Sequence, residues 1–175
     1  MRMGTTAVVL TGAPGAGKST VLEKLATLLE IDGVEFGALE SEALGWGSPW
    51  LDDEWRLRQL KAVLEIQRQA GRRLFLIAAT TETSRELAAV IEVIATDEHV
   101  AVLLSAPADV VAARIDAREP DDWPGKLALI EHARGLATSM QALTGIDFRI
   151  STDDRSVTDV ALEVRDKLRA RGLAL

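Results

Sequence analysis

Residues 12–19 read GAPGAGKS and carry the spacing G-x-x-x-x-G-K-[ST] in full. Residues of these types at this spacing bind polyphosphate. Glycine lets a backbone turn tightly, so that consecutive N–H groups point inward at phosphate oxygens. A helix that starts near Ser19 aims the positive end of its dipole at the same anion. Lys18 can reach the β- and γ-phosphates, and the Ser19 hydroxyl can ligate Mg²⁺. Gly12, Ala13, Pro14, Gly15, Ala16, Gly17, Lys18, Ser19 and Thr20 are therefore candidate nucleotide contacts.

Two further groupings could do chemistry. The stretch LESEALGWGSPWLDDEW, residues 39–55, holds three of the chain's four tryptophans, with Glu40 and Glu42 at its start. In extended chain, residues two apart share one direction. At the start of a helix the same carboxylates would be solvated acids. Farther on, Arg114 and Arg118 are spaced to share one helical face. Two guanidiniums on one face can clamp a transferring phosphoryl group as its charge spreads. Alternatively they pair in solvent with Asp116, Glu119 or Asp121.

The elements that must position these groups alternate in type. Short apolar runs at 6–12, 34–39, 73–80, 99–106 and 147–152 read as strands. Amphipathic segments at 19–30, 54–70, 84–96, 126–143 and 156–172, and a helix following Pro107, read as helices. Asp52 or Asp53 is the expected cap of the second helix and Ser84 that of the third. Gly33 and Gly71 mark helix ends, and EPDDWPG, residues 119–125, is a turn-rich break. Five strands alternating with helices predict an α/β fold: a parallel sheet with helices on both faces.

Composition removes several classes. A net charge of −7 lacks the basic face of a free nucleic-acid binder. With no cysteine there are no disulfides, thiolate metal sites or cysteine nucleophiles. No apolar run approaches the ~20 residues of a membrane helix. The start MRMGTTAVVLTG leads straight into the glycine loop, where cleavage of a leader would remove the first strand, so a cytoplasmic protein is expected.

VVLTGAPGAGKST, LLSAPADVVAARIDARE and the ending ISTDDRSVTDVALEV together resemble the small P-loop kinases. These include nucleoside monophosphate kinases, shikimate and gluconate kinases, adenylylsulfate kinase and chloramphenicol phosphotransferase. The resemblance spans nearly the whole chain. It implies the three-layer P-loop NTPase fold, with ATP and Mg²⁺ as ligands. It also implies one kinase-like domain over residues 1–175, with a lid around 114–126 carrying Arg114 and Arg118. Residues 151–154, Asp153 among them, would lie beside the adenine. An acidic residue at the end of strand two would face the reaction centre. Glu40 is the candidate, orienting the acceptor or holding Mg²⁺ with Ser19, and Glu42 supports it on the substrate side. This pair resembles the D-x-D placement of shikimate kinase, with glutamates substituted.

Departures and competitors are equally legible. Strand three ends in Thr80, Thr81 and Glu82, without the aspartate many relatives carry. No N-K-x-D guanine motif is present, against a GTPase, and strand three does not end in the Asp or Asp-Glu expected of AAA+ and transport ATPases. Trp46 and Trp50 flank turn formers and either wall the acceptor site or pack a helix onto the sheet. Trp55 is expected in the core, and Trp123 in the lid, where it would shield phosphates from water. Arg56 and Arg58 either bind an acidic acceptor or sit in solvent, and His99 and His132 are read as structural. The expected activity is transfer of the γ-phosphate of ATP to a small-molecule hydroxyl or phosphate, with no nucleic-acid or membrane partner. The competing expectations are a nucleotide-binding protein with little transfer, or a simple NTPase.

Overall fold

The computed structural model describes residues 4–173 and 175; Met1 to Met3, part of the chain start weighed above, lie outside it, as does residue 174. Five strands form one sheet: β1 (Thr6–Thr11), β2 (Gly37–Glu40), β3 (Leu74–Ala78), β4 (Glu98–Ser105) and β5 (Phe148–Ser151). Their order is β2-β3-β1-β4-β5, and every pairing is parallel. Six helices connect and cover them: α1 (Lys18–Ile31), α2 (Asp53–Gln69), α3 (Ser84–Ile94), α4 (Ala108–Arg118), α5 (Lys126–Ser139) and α6 (Val157–Ala170).

Helices on both faces explain the unbroken apolar runs of the inner strands, since each successive side chain meets one layer or the other. Val8, Leu10, Leu76 and Val102 pack against Leu25 and Leu29 of α1 and Val160 and Val164 of α6. Ala7, Val9, Phe75 and Ile77 pack against Leu60 and Leu64 of α2 and Leu87 and Ile94 of α3. Asp32, just after α1, binds Arg165 and Arg169 of α6 at 3.0 and 2.7 Å and ties those two helices together. This is the three-layer P-loop NTPase fold. Its strand order turns at β1, so the loops after β1 and β4 diverge there and open a crevice at the carboxyl edge of the sheet.

Local differences from the sequence reading have physical causes. The cap of α3 is Thr83, not Ser84: its hydroxyl accepts the Glu86 N–H at 3.2 Å. The T-x-x-E spacing is a capping-box signal that Ser84 lacks. Ser84 instead accepts the Thr144 N–H at 2.9 Å. Asp52 caps α2 by accepting the Trp55 N–H at 3.0 Å. The expected helix over 126–143 ends at Ser139 and continues as a 3₁₀ turn, Met140–Ala142. Trp55 is not core. It faces outward at 50% exposure, with the Arg58 guanidinium 4.4 Å above its ring. Among the described residues no helix is long and apolar enough to cross a membrane.

Leu25 is fully buried between α1 and the sheet. Leu25→Ala should lower unfolding stability by about 2–5 kcal/mol, read from equilibrium urea denaturation; a loss well under that range would mean α1 is not packed as described.

Candidate functional site

The loop between β1 and α1 is shaped by close approaches that only glycine allows. Gly15 has φ +80°, and a Cβ there would stand 2.7 Å from the Val111 carbonyl of α4. A Cβ on Gly12 would collide with the Leu104 carbonyl of β4. The loop is thus pressed against β4 and α4, with Ala13 and Ala16 buried. Gly17, in the left-handed region, occupies the cap position of α1 and supplies no side-chain cap. By contrast α2, α3 and α6 are capped by Asp52, Thr83 and Ser156. The leading amides of α1 are therefore left for an anion.

Lys18 lies partly buried over this loop and donates to the carbonyls of Gly12 at 2.8 Å and Ala13 at 3.3 Å. Burial pushes its pKa below the usual lysine value. Glu42 pulls it upward, Arg118 lowers it, and Glu40 raises it more weakly than Glu42 does. Ser19 and Thr20 stand exposed on the first turn of α1.

Arg114 is anchored rather than free. It donates to Gly15 O at 3.2 Å, Thr152 Oγ1 at 2.9 Å and Thr152 O at 2.8 Å. Thr152 Oγ1 in turn donates to Ala16 O at 2.9 Å. Phosphate loop, α4 and the turn after β5 are thereby fastened together. Beside this junction is a cleft of about 180 Å³ lined by Gly17, Thr20, Val21, Arg114, Thr152, Arg155, Val157 and Val160. Asp153 belongs to the same turn but does not line the cleft; its N–H donates to Ser151 Oγ at 3.2 Å. Arg118, on the last turn of α4, pairs with Glu119 at 2.6 Å. The break at 119–125 is stitched by Lys126, whose ammonium binds Asp116 at 2.9 Å and Asp121 at 2.7 Å. Trp123 lies against Gly125 and is half-exposed.

Glu40 and Glu42 separate. Glu40 is in register with Ala78, whose side chain joins the α1 face of the sheet, while Leu39 packs on the α2 face. Alternation therefore directs Glu40 to the side of α1 and Ser19. Glu42 opens a 3₁₀ turn, Glu42–Gly45, and accepts the backbone N–H of Thr80 beyond β3. Among the described residues no cluster of three or more His, Asp or Glu side chains is arranged around a metal position.

A second cavity, of about 390 Å³, opens beside Thr80 between α2, α3 and the end of β3. Its walls include Ser41, Asp53, Arg56, Leu57, Thr80, Thr81, Thr83, Arg85, Glu86 and Val90. Thr81 is buried, and its hydroxyl lies 2.8 Å from that of Thr11 at the end of β1. The cavity wall and the root of the phosphate loop thus share a hydrogen bond. Arg56 lines the cavity and Arg58 does not. Trp46 and Trp50 are 80% and 61% exposed, so neither is core, and neither lines the cavity. His99 is exposed, and His132 Nε2 lies 2.7 Å from Glu82 Oε1.

Sequence reasoning missed Ser41, Thr81, Thr83 and Arg85 as cavity residues, and Thr152 as the clasp of Arg114. The capping box could have located Thr83. The others come together only across the sheet edge.

A family model described as an AAA domain, AAA_33, matches residues 8–139, well over half of the chain, and the chain belongs to that family. The acidic strand end expected of AAA+ ATPases is nonetheless absent, since β3 leads into Ala79, Thr80 and Thr81. No curated protein matches. Similar solved structures include small kinases. An APS kinase, CysC, from Mycobacterium tuberculosis in complex with AMPPNP and APS has a TM-score of 0.67 at 22% identity, with 95% of this chain and 98% of that one covered. A sugar kinase from a Janibacter species has a TM-score of 0.68 at 20% identity, covering 94% and 95%. Shikimate kinase from Acinetobacter baumannii in complex with shikimate has a TM-score of 0.64 at 20% identity, covering 97% and 96%. The chain shares the P-loop kinase-like fold with these proteins.

Gly15 and Gly17 both have positive φ, but open space surrounds Gly17. Gly15→Ala should therefore be less stable than Gly17→Ala by about 1 kcal/mol or more, measured by urea unfolding of the two variants side by side. Equal stabilities would contradict the close loop-to-α4 contact.

Proposed function

We propose that this chain is an ATP-dependent phosphotransferase that moves the γ-phosphate of ATP onto a small-molecule hydroxyl or phosphate. One observation carries the reading. An uncapped phosphate loop with Lys18 and a separate open cavity lie at one sheet edge, linked through Thr80 and Glu42. A simple NTPase needs only the first of these. Two of these neighbours are in complex with shikimate and with APS, both small molecules, which favours a small acceptor here.

The residues present suit a nucleoside triphosphate. Free amides at the start of α1 and the Lys18 ammonium would hold and neutralise its β- and γ-phosphates. Binding polyphosphate would offset the burial that disfavours the charged amine. The cleft between Arg114, Thr152 and Val157 would take the base. Ser19, with Glu40 on the same face, suits Mg²⁺, which takes one or two protein oxygens and completes its shell with water and phosphate. Bound there, the ion would neutralise charge on the transferring group.

Glu42 is the group we place against the acceptor. As the acceptor oxygen bonds to the γ-phosphorus and the bond to the β–γ bridging oxygen breaks, the acceptor proton passes to the Glu42 carboxylate. Arg118 would reach the transferring group by releasing Glu119, with residues 119–125 as the lid and Trp123 excluding water. Trp50, whose ring neighbours Gly45 beside the Arg56 stem, and Trp46 would cover an acceptor from outside.

Lys18→Ala should weaken MgATP binding by about a hundredfold or abolish turnover, measured by titration calorimetry and ADP release; unchanged affinity and turnover would remove the phosphate-loop assignment. Glu42→Gln should leave ATP affinity intact and lower transfer by about 10²–10⁴-fold, whereas Glu40→Gln should chiefly raise the Mg²⁺ concentration needed. The reverse pattern would exchange their roles. Tight ATP binding without ADP formation across a broad acceptor panel would favour a nucleotide-responsive binding protein, the reading that the non-acidic end of β3 supports.

A further inference from the structure

The segment between α4 and α5 is built around a buried charge that the chemistry described so far does not use. Among the described residues Lys126 is the one ionisable residue that is buried, with its side chain 8% exposed. An ammonium is unfavourable in the interior unless it is paired. Lys126 also opens α5, where a cation opposes the helix dipole. Two carboxylates offset both effects, Asp116 at 2.9 Å and Asp121 at 2.7 Å from its Nζ.

The two partners lie in different places. Asp116 is in the last turn of α4, and Asp121 is within the break at 119–125. Lys126 therefore closes residues 116–126 into a loop held at its base. Hydrogen bonds from Trp123 N–H to Pro120 O and from Lys126 N–H to Trp123 O, both 3.1 Å, tighten the turn. The Trp123 indole folds down on Gly125, where a Cβ would stand 2.5 Å from the ring. The same turn of α4 carries Arg118. Residues two apart on a helix do not face each other, so a hold on Asp116 fixes that turn without occupying Arg118. Arg118 stands near enough to Lys18 for its charge to lower the lysine pKa. It lies mostly in solvent and pairs with the adjoining Glu119, a contact that contributes little.

We infer that Lys126 is a positioning residue: through Asp116 and Asp121 it holds residues 116–126 as one preformed unit, keeping Arg118 beside the phosphate loop before nucleotide arrives. This rests on the nucleotide site and on the lid role proposed for Arg118. When a triphosphate binds, the guanidinium leaves Glu119 for the γ-phosphate, exchanging one anion for a more highly charged one. The segment is already ordered, so the exchange needs a side-chain movement alone and little ordering entropy opposes it. Loss of Lys126 would free both ends of the loop and let the last turn of α4 fray. Arg118 would then have to be ordered at the expense of γ-phosphate binding, while a diphosphate, which does not reach it, would bind as before.

The test titrates the full chain with AMPPNP and with ADP, each with Mg²⁺, by calorimetry at constant ionic strength. Lys126→Met should lower AMPPNP affinity by about tenfold and leave ADP affinity within about twofold, and Lys126→Arg should restore much of the loss. Arg118→Gln should show the same selectivity. The double variant should lose no more than Arg118→Gln alone, since both changes remove one contact. In the nucleotide-free chain, amide hydrogen exchange over residues 119–125 should quicken by about tenfold in Lys126→Met. Asp121→Ala alters a fully exposed side chain and carries the test if Lys126→Met does not fold; it should lower AMPPNP affinity by about two- to fivefold. The inference is overturned if ADP and AMPPNP affinities fall together, or if the losses from Lys126→Met and Arg118→Gln multiply. Unchanged exchange over 119–125, or equal binding of the two nucleotides by the unaltered chain, would also overturn it. Coupled losses of AMPPNP affinity with no transfer from ATP to any acceptor would uphold it and count against the kinase reading. Transfer that Lys126→Met leaves at full rate would do the opposite.

Discussion

Lys18 carries a positive charge into a partly desolvated position above the central strand, where only backbone carbonyls meet it. Burial works against the charge and the Glu42 and Glu40 carboxylates restore part of it. That balance needs the loop wrapped tightly around the amine, and tight wrapping needs Gly12 and Gly15 against the carbonyls of β4 and α4. The site is thus held in shape by a constraint on volume, and its chemistry follows from an amine short of water. A polyphosphate would supply negative charge to such an amine.

The same edge of the sheet couples this loop to its surroundings on both sides. Toward β5, Arg114 and Thr152 clasp the loop carbonyls. Toward β3, Thr11 and Thr81 share a buried hydrogen bond, and Ala79 N–H donates to Leu10 O at 3.0 Å. Glu42 reaches over from the end of β2 to Thr80. The phosphate loop and the cavity are therefore built on one edge of the sheet. A parallel sheet makes this natural, since all its strands end on one side and every loop that follows meets there.

Much of this was legible in one dimension. The spacing of residues 12–19 is a local property, because the shape of the loop depends on its own consecutive residues. Strands and helices were readable because burial on one or two faces imposes a period on the sequence. The error at the start of α3 was a local one, in which Thr83 and Glu86 already carried the signal. A place inside a helix does not by itself mean burial: α2 turns Trp55 to solvent, and Arg58 covers its ring.

By itself the sequence determined the phosphate loop, the alternation of elements and hence the fold class, since each depends on neighbours within a few residues. Tertiary structure alone decided the different surroundings of Glu40 and Glu42, the anchoring of Arg114 and the gathering of α2 and α3 side chains around one cavity. The strand ends at Glu40 and a 3₁₀ turn begins at Glu42, and that change of backbone path separates the two carboxylates. Arg114 and the cavity residues are brought to their places by elements far apart in the chain, whose approach is set by packing on the sheet. Side-chain type announces that a group can bind charge; only the path of the backbone determines which charges face one another.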